Sequence, residues 1–275
     1  MKQNKLLKLL YLTLSAIVVL ISLAPLIWML MTGFKEKTEV YRVPFSFFPD
    51  NFSNLANYSK VLTHKNFPNS MLTTLLGASI STTCCLIINA MAAYGFARID
   101  FKGKKLLWAY CLLPMFIPSI AILIPSYVVV HKMGMLNTMA VLIIPGVAQT
   151  GHIFYLRQYF LGIPLSLEEA VQIDGGNRVQ ALIHVFIPMS AAPFVIVGFG
   201  AFVGYWNQYL WPLLTISKTK LYPIMQQLAF FRTERNIHYG VQMAGSFLAA
   251  VPPIMLFMFF QRFIVKGIKI SGLKG

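Results

Sequence analysis

The chain has 275 residues, of which 11% are Asp, Glu, Lys or Arg and 57% are apolar. An ordinary soluble domain carries about 25% charged residues, and it needs a polar surface to cover its core. The composition therefore excludes a soluble globular fold and predicts an all-α membrane protein. The net charge of +15 does not indicate a nucleic-acid partner, because the basic residues lie between apolar runs and border the lipid bilayer.

Six charge-free runs are each longer than the roughly 20 residues that cross a bilayer core of about 30 Å. We expect six transmembrane helices from these runs, at residues 9–34, 66–97, 106–131, 133–156, 179–217 and 236–261. The fifth run is too long for one span. Its first third is predicted to lie at the membrane interface, and the transmembrane span itself is expected at residues 189–211.

The distribution of Lys and Arg places both termini in the cytoplasm, with the Lys102-Gly103-Lys104-Lys105 cluster at a span end as the main signal. The first run lacks a small-residue cleavage site, so it is predicted to be a retained helix and not a signal peptide. This gives an N-terminal helix with its extracytoplasmic loop (1–68), a five-helix core (69–265) and a cytoplasmic tail (266–275). Pro114, Pro118 and Pro125 predict a kink in the third span.

The cytoplasmic loop between spans four and five has a specific local pattern. Ser166 and Glu169 have the spacing of a capping box, which predicts a helix starting at Leu167. Asp174-Gly175-Gly176 should end that helix, because glycine adopts the left-handed conformation readily. A second helical segment is expected from about Asn177 to a stop at Pro188. The first helix leaves apolar side chains on the cytoplasmic side, which favours a protein partner.

The same loop resembles binding-protein-dependent ABC importer permeases, whose motif is Glu-Ala-Ala, three residues, Gly, nine residues and Ile-x-Leu-Pro. The matching residues are Glu169-Ala170-Val171, Gly175 and Val185-Phe186-Ile187-Pro188, with conservative departures at Val171, Val185 and Ile187. Asp174 before the glycine and the ending at 272–275 are similar to the carbohydrate-uptake branch, which includes the second maltose permease subunit. The stretches 94–98 and 206–212 are also similar to this carbohydrate-uptake branch.

The resemblance implies a type I ABC importer transmembrane domain with a cytoplasmic coupling helix. The residues it implies for coupling to the ATPase are Glu168, Glu169, Ala170, Asp174, Gly175 and Pro188. The implied partners are a second homologous permease subunit, two ATP-binding subunits and an extracytoplasmic solute-binding protein. ATP and Mg²⁺ would bind the ATP-binding subunits, and no cofactor is expected on this chain.

The sequence offers no catalytic or metal-binding set. It contains no Gly-x-x-x-x-Gly-Lys-Ser/Thr phosphate loop, so ATP hydrolysis is expected on another protein. Its three cysteines lie in apolar runs, and its five histidines are scattered without metal spacing. We therefore expect a chain that is not an enzyme.

Polar residues within spans are costly and can line an internal path. The candidate substrate-path residues are Asn89, Gln149, Tyr205, Trp206, Asn207 and Tyr209. Helix packing or an interfacial aromatic belt would explain the same residues, and we favour that interpretation over substrate contact.

By resemblance, the function is a permease subunit that forms half of the path for uptake of a carbohydrate across the cell membrane. An importer of glycerol 3-phosphate or a related polyol phosphate is the alternative. A secondary transporter is disfavoured, because the six spans contain no Asp or Glu that could carry ions. Only the coupling loop argues against a purely structural membrane subunit.

Overall fold

The computed structural model describes residues 5–231 and 238–272, and it describes side chains for residues 7–231 and 238–263. The first eight helices are α1 (Lys5–Phe34), α2 (Lys37–Val40), α3 (Ala56–Leu62), α4 (Phe67–Arg98), α5 (Lys104–Leu112), α6 (Ser119–Lys132), α7 (Met139–Ile143) and α8 (Thr150–Leu161). They are followed by α9 (Leu165–Ile173), α10 (Arg178–Ala181), α11 (Ile187–Met189), α12 (Ala191–Trp206), α13 (Leu210–Thr215), α14 (Ile224–Phe231) and α15 (Tyr239–Gly272). Short 3₁₀ segments occupy Leu113–Phe116, Ile144–Gly146 and Thr219–Leu221, and a π-helix occupies Leu182–Phe186.

Among the described residues, three helices are long and apolar enough to cross a membrane alone, namely Leu7–Phe34, Phe67–Arg98 and Tyr239–Phe263. Three further spans are bent pairs, Lys104–Phe116 with Ser119–Lys132, Met139–Gly146 with Thr150–Leu161, and Arg178–Met189 with Ala191–Trp206. Counting each bent pair as one span gives the six that the sequence predicts. The predicted start of the sixth span at residue 236 lies outside the described residues.

The third span bends by 108° between its two halves, at Ile117 and Pro118. Proline has no amide hydrogen and its ring displaces the preceding turn, so a helix ends or bends there. The kink predicted from the prolines is therefore confirmed.

The fifth span differs from its prediction at both ends. The helix α12 begins at Ala191 and ends at Trp206, whereas a span from 189 to 211 was expected. Pro193 and Pro212 explain the difference, because each lies in the first turn of a helix, α12 or α13. The amides of a first turn have no intrahelical partner, which makes that turn the usual place for proline. Hydropathy alone does not detect such breaks.

The chain divides into two compact units, Met1–Pro68 with Gln227–Pro252 and Asn69–Gln226 with Pro253–Gly275. In the first unit, α3 packs against the end of α1. The Tyr58 hydroxyl donates to the carbonyl of Leu30 at 2.9 Å, and Asn57 Nδ2 donates to the carbonyls of Gly33 and Lys35 at 3.0 and 2.8 Å. Burial raises the pKa of Tyr58 to about 12, so this hydroxyl stays a donor at neutral pH.

In the second unit, an aromatic cluster joins α4, α8 and the π-helix. The ring centroids of Tyr94 and Phe186 are 5.0 Å apart, and those of Phe160 and Phe186 are 5.4 Å apart. All three side chains are buried. Such edge-on contacts fix the relative positions of the helices that carry them. The three aromatic side chains pack next to the loop between spans four and five.

Gly77 in α4 is required by its close approach to Tyr205. A Cβ at Gly77 would lie 2.1 Å from the Tyr205 hydroxyl oxygen, and Tyr205 is buried. We expect Gly77→Ala to lower the melting temperature of the purified chain, because overpacking of this kind costs about 1–3 kcal/mol.

Gly200→Ala is the matched control, since a Cβ there meets nothing within 4 Å and both glycines lie inside helices. Adding Tyr205→Leu to Gly77→Ala should restore part of the lost melting temperature, because the two sites share one contact. An unchanged melting temperature for Gly77→Ala would contradict this packing.

Candidate functional site

The helix α9 begins earlier than its sequence indicates. It runs from Leu165 with Pro164 as its N-cap, and no side chain makes a capping hydrogen bond. The predicted capping box of Ser166 and Glu169 is therefore wrong. Pro164 has an extended backbone, with ψ of 136°, and a helix starts readily after such a residue. Glu168 lies on the buried side of α9.

The end of α9 agrees with its prediction. Gly175 has φ of +80°, which is the left-handed conformation that glycine adopts readily. The Gly176 amide donates to the Val171 carbonyl at 2.8 Å, and the Gly175 amide donates to the Gln172 carbonyl at 3.0 Å. This pair of bonds is a Schellman motif. The two glycines therefore define a rigid turn and not a flexible connector.

The second helical segment begins where the sequence predicts. Asn177 caps α10, its Oδ1 accepting from the Gln180 amide at 3.0 Å while Gln180 Oε1 accepts from the Asn177 amide at 2.7 Å. The predicted stop at Pro188 is wrong, because Pro188 lies in α11 and the break falls at Ser190. The π-helix just before Pro188 is wider than an α-helix, which provides room for the proline ring.

Glu168 anchors α9 to the end of α4. Its side chain is buried, with 5% of the residue exposed. Glu168 Oε1 accepts a hydrogen bond of 2.5 Å from the Tyr94 hydroxyl, and Glu168 Oε2 lies 3.8 Å from Arg98 Nε. A buried carboxylate is stable only with such partners.

Arg98 extends this anchor to α8. Its Nη2 donates to the Phe160 carbonyl at 2.8 Å and also to the Ile163 carbonyl. Its guanidinium lies 5.0 Å from the centre of the Phe186 ring. Arg98 thereby joins the end of α4, the end of α8 and, through Glu168, the loop between spans four and five. We call Tyr94, Arg98 and Glu168 the Glu168 anchor.

The opposite side of α9 is exposed. Glu169, Ala170 and Asp174 lie on the surface, and Ile173 is 85% exposed. We call the surface formed by Glu169, Ala170, Ile173 and Asp174 the outer face of α9. This surface carries one strongly exposed apolar side chain beside the carboxylates of Glu169 and Asp174.

The six predicted coupling residues therefore occupy four different places. Glu168 points inward, whereas Glu169, Ala170 and Asp174 lie on the outer face of α9. Gly175 forms the turn that ends the helix. Pro188 is exposed on the separate helix α11.

Sequence reasoning missed Tyr94 and Arg98 as members of this site. Both lie in the stretch 94–98, which resembles the permeases but has no role that the resemblance implies. Arg98 is a charged residue at the end of a span, and this pattern is also typical of a residue that only borders lipid. A tyrosine four residues before it, on the same helical face, was the available signal.

The predicted substrate-path residues are not one cluster. Asn89 is buried, and its side chain donates to the carbonyls of Cys85 and Val147 at 2.6 and 2.8 Å. Its Oδ1 accepts from the Gln149 amide at 2.9 Å. Asn89 thus ties the broken fourth span to α4, and it holds the backbone of Gln149, whose side chain is exposed.

The other four candidates lie around the end of α12. Tyr205 and Trp206 are buried, and Trp206 stacks on Phe202 at 5.6 Å. Asn207 and Tyr209 are exposed at the break that follows. The packing interpretation thus suits the two buried residues.

A cavity of about 210 Å³ lies between α6, the end of α7 and the residues that follow α12. It is lined by Ser119, Ile122, Leu123, Ser126, Leu142, Pro145, Gly146, Gln208 and Trp211. The Trp211 indole is fixed by a 2.8 Å hydrogen bond from its Nε1 to the Val141 carbonyl. The cavity therefore combines an ordered indole with an amide and two hydroxyls.

Comparison with known proteins defines the class to which this fold and site belong. Residues 86–270 match the family described as "Binding-protein-dependent transport system inner membrane component", and the chain belongs to this family. It is therefore a multi-pass membrane protein and the permease subunit of an ABC importer. Such permeases are not themselves enzymes, and their systems imply ATP-hydrolysing and solute-binding partners.

Three relatives illustrate the similarity. A probable ABC transporter permease protein, YurM of Bacillus subtilis, is 33% identical and covers 91% of this chain and 83% of its own length. The arabinooligosaccharides transport system permease AraQ of Halalkalibacterium halodurans is 27% identical over 94% of each chain. The trehalose/maltose transport system permease MalG of Thermococcus litoralis is 29% identical over 100% of each.

A solved structure supports the fold. A chain of a bacterial ABC transporter involved in the import of the acidic polysaccharide alginate superimposes with a TM-score of 0.83 at 20% identity. The match covers 95% of this chain and 98% of that one. The fold is thus an ABC importer transmembrane domain, as the sequence resemblance implied.

The Glu168 anchor predicts different effects for two adjacent glutamates. Glu168→Ala should lower the free energy of unfolding by about 3 kcal/mol, because Arg98 is left buried without its anion. Glu169→Ala should change it by no more than about 0.5 kcal/mol, as expected for an exposed residue. Thermal melting of the two purified variants measures the difference, and equal melting temperatures would contradict the anchor.

Proposed function

We propose that this chain forms half of the transmembrane path of an importer for a carbohydrate delivered by a solute-binding protein. A second homologous permease would complete the path, and two ATP-binding subunits would bind ATP and Mg²⁺ and hydrolyse the nucleotide. Both termini would lie in the cytoplasm. The observation that carries the proposal is the helix α9, which is anchored on one side by Glu168 and exposed on the other.

Coupling requires a surface that binds the ATPase and a rigid connection from that surface to the spans. The outer face of α9 supplies the surface, with Ile173 as its most exposed apolar side chain. The Glu168 anchor supplies the connection, because it holds α9 to the ends of α4 and α8. A displacement of α9 by the ATPase would thus reach two spans directly and shift the balance between outward and inward access.

The names of the relatives support a carbohydrate as the solute. AraQ and MalG are named for arabinooligosaccharides and for trehalose or maltose, and these comparisons do not support the glycerol 3-phosphate alternative. The cavity with Gln208 and Trp211 has suitable chemistry, since sugars combine an apolar ring face with many hydroxyls. Asn89, Gln149, Tyr205, Trp206, Asn207 and Tyr209 remain predictions as path residues.

Co-purification in mild detergent tests the docking surface. The wild-type chain should bring down an ATP-binding subunit, identified by mass. Ile173→Asp should lose most of it, because the change places a charge at the centre of an apolar contact. Gly175→Asp should lose it too, because a side chain is strained at the left-handed turn that fixes α9.

Lys102→Glu is the control for introducing negative charge on a neighbouring cytoplasmic loop, and it should retain the ATPase. Each variant must melt like the wild type for its loss of binding to count. If the wild-type chain binds no ATPase, or Ile173→Asp binds it fully, the docking role of α9 is refuted.

A further inference from the structure

The loop between α2 and α3 has a charge-free apolar segment. Residues 43–49 contain three phenylalanines, a valine and no charged residue. Arg42 and Asp50 flank the segment and form an ion pair, in which Arg42 Nη1 donates to Asp50 Oδ1 at 3.3 Å. The ion pair closes the base of the loop, so the charges stay at the base and the apolar residues form the tip.

This tip folds back along α1. The ring centroids of Phe45 and Phe47 lie 4.9 and 5.6 Å from that of Trp28. Trp28 comes six residues before Phe34, where α1 ends. At a rise of 1.5 Å per residue, the loop therefore returns by about 9 Å along the helix.

The depth of Trp28 in the membrane follows from its distance to Lys8 along α1. It is twenty residues after Lys8, which corresponds to about 30 Å of helix, the thickness of a hydrocarbon core. A lysine at one boundary and a tryptophan at the other are typical anchors of a span. Phe45 and Phe47 are thus level with the headgroup region of the membrane.

The tip is exposed in the chain. Val43 is 92% exposed, and Phe45 and Phe48 are each more than 60% exposed. We call Val43, Phe45, Phe47 and Phe48 the loop patch. Every side chain of α1 from residue 7 to residue 25 is exposed as well. The loop patch therefore continues the exposed apolar surface of α1, and contact of such a surface with water would be unfavourable.

The polar groups of the loop turn inward. The buried Lys35 donates from Nζ to the Ser46 carbonyl, and its ammonium lies 4.8 Å from the centre of the Trp28 ring. Burial lowers the pKa of Lys35, while the neighbouring Glu39 and Asp50 favour its charged form. The Glu39 carboxylate also accepts from the Asp50 amide at 2.9 Å. Lys35 and Glu39 thus satisfy backbone groups that lipid could not.

We propose that the loop patch inserts into the headgroup region of the leaflet at the C-terminal end of α1. Its occupant is the lipid surface and not a protein partner, because the loop patch lies beside Trp28 at membrane depth and continues the exposed apolar side of α1. Insertion fixes the depth of α1 and of the loop that joins α1 to α3. Because the N-terminus is proposed to lie in the cytoplasm, the leaflet at the C-terminal end of α1 is the outer leaflet.

Photo-crosslinking in the assembled transporter, reconstituted in phosphatidylcholine nanodiscs, tests the proposal. p-Benzoylphenylalanine is placed at Phe48 in one preparation and at Val43 in a second, so that one local disturbance does not decide the result. Irradiation should give adducts of phospholipid mass as the main crosslinked product at both positions. Lys65, an exposed lysine between α3 and α4 and outside the loop patch, is the control position and should give at least several-fold less lipid adduct.

Three outcomes would overturn the proposal. Adducts mainly to another protein would show that a partner covers the loop patch. A lipid yield no higher than at Lys65 would show that the patch lies in water. Adducts mainly to distant residues of this chain would show that the loop folds elsewhere. None of these results would affect the docking role of α9, which the co-purification experiment tests separately.

Discussion

The buried carboxylate of Glu168 is the constraint on which the position of the loop between spans four and five depends. A carboxylate removed from water is unfavourable unless charged and hydrogen-bonded partners replace the lost hydration. Tyr94 and Arg98 provide them from the end of α4. Because both partners lie on one helix, α9 cannot rotate or withdraw without exposing a buried ion pair. The position of the loop is therefore fixed by the same residues that end the second span.

The local backbone complements this constraint. The Schellman motif at Gly175 ends α9 sharply, and the Asn177 capping box starts α10 two residues later. With so few residues between the two helices, the turn has little freedom. The outer face of α9 is thus held in one orientation, while the π-helix and Pro188 lead the chain to the fifth span.

Much of this arrangement could be predicted from the sequence, and the failures have physical reasons. Apolar runs gave six spans because lipid leaves few ways to satisfy a backbone, but hydropathy could not detect the break that begins at Asn207. Gly175 was predicted correctly, since a left-handed turn strongly favours glycine. The start of α9 was wrong because a capping-box spacing at Ser166 is common, and Pro164 begins the helix without it. The role of Arg98 depends on contacts 60 or more residues away, which spacing does not reveal.

The most direct test of this account measures solute transported per ATP hydrolysed in proteoliposomes, comparing the wild type with Tyr94→Phe. This change removes one hydrogen bond to Glu168 and leaves the outer face of α9 intact. The account predicts that the ATPase still binds and hydrolyses ATP, while transport per ATP falls by about fivefold, the factor that corresponds to about 1 kcal/mol. A wild-type ratio, in a variant confirmed to be folded and assembled, would contradict the claim that the Glu168 anchor transmits the movement of α9 to the spans.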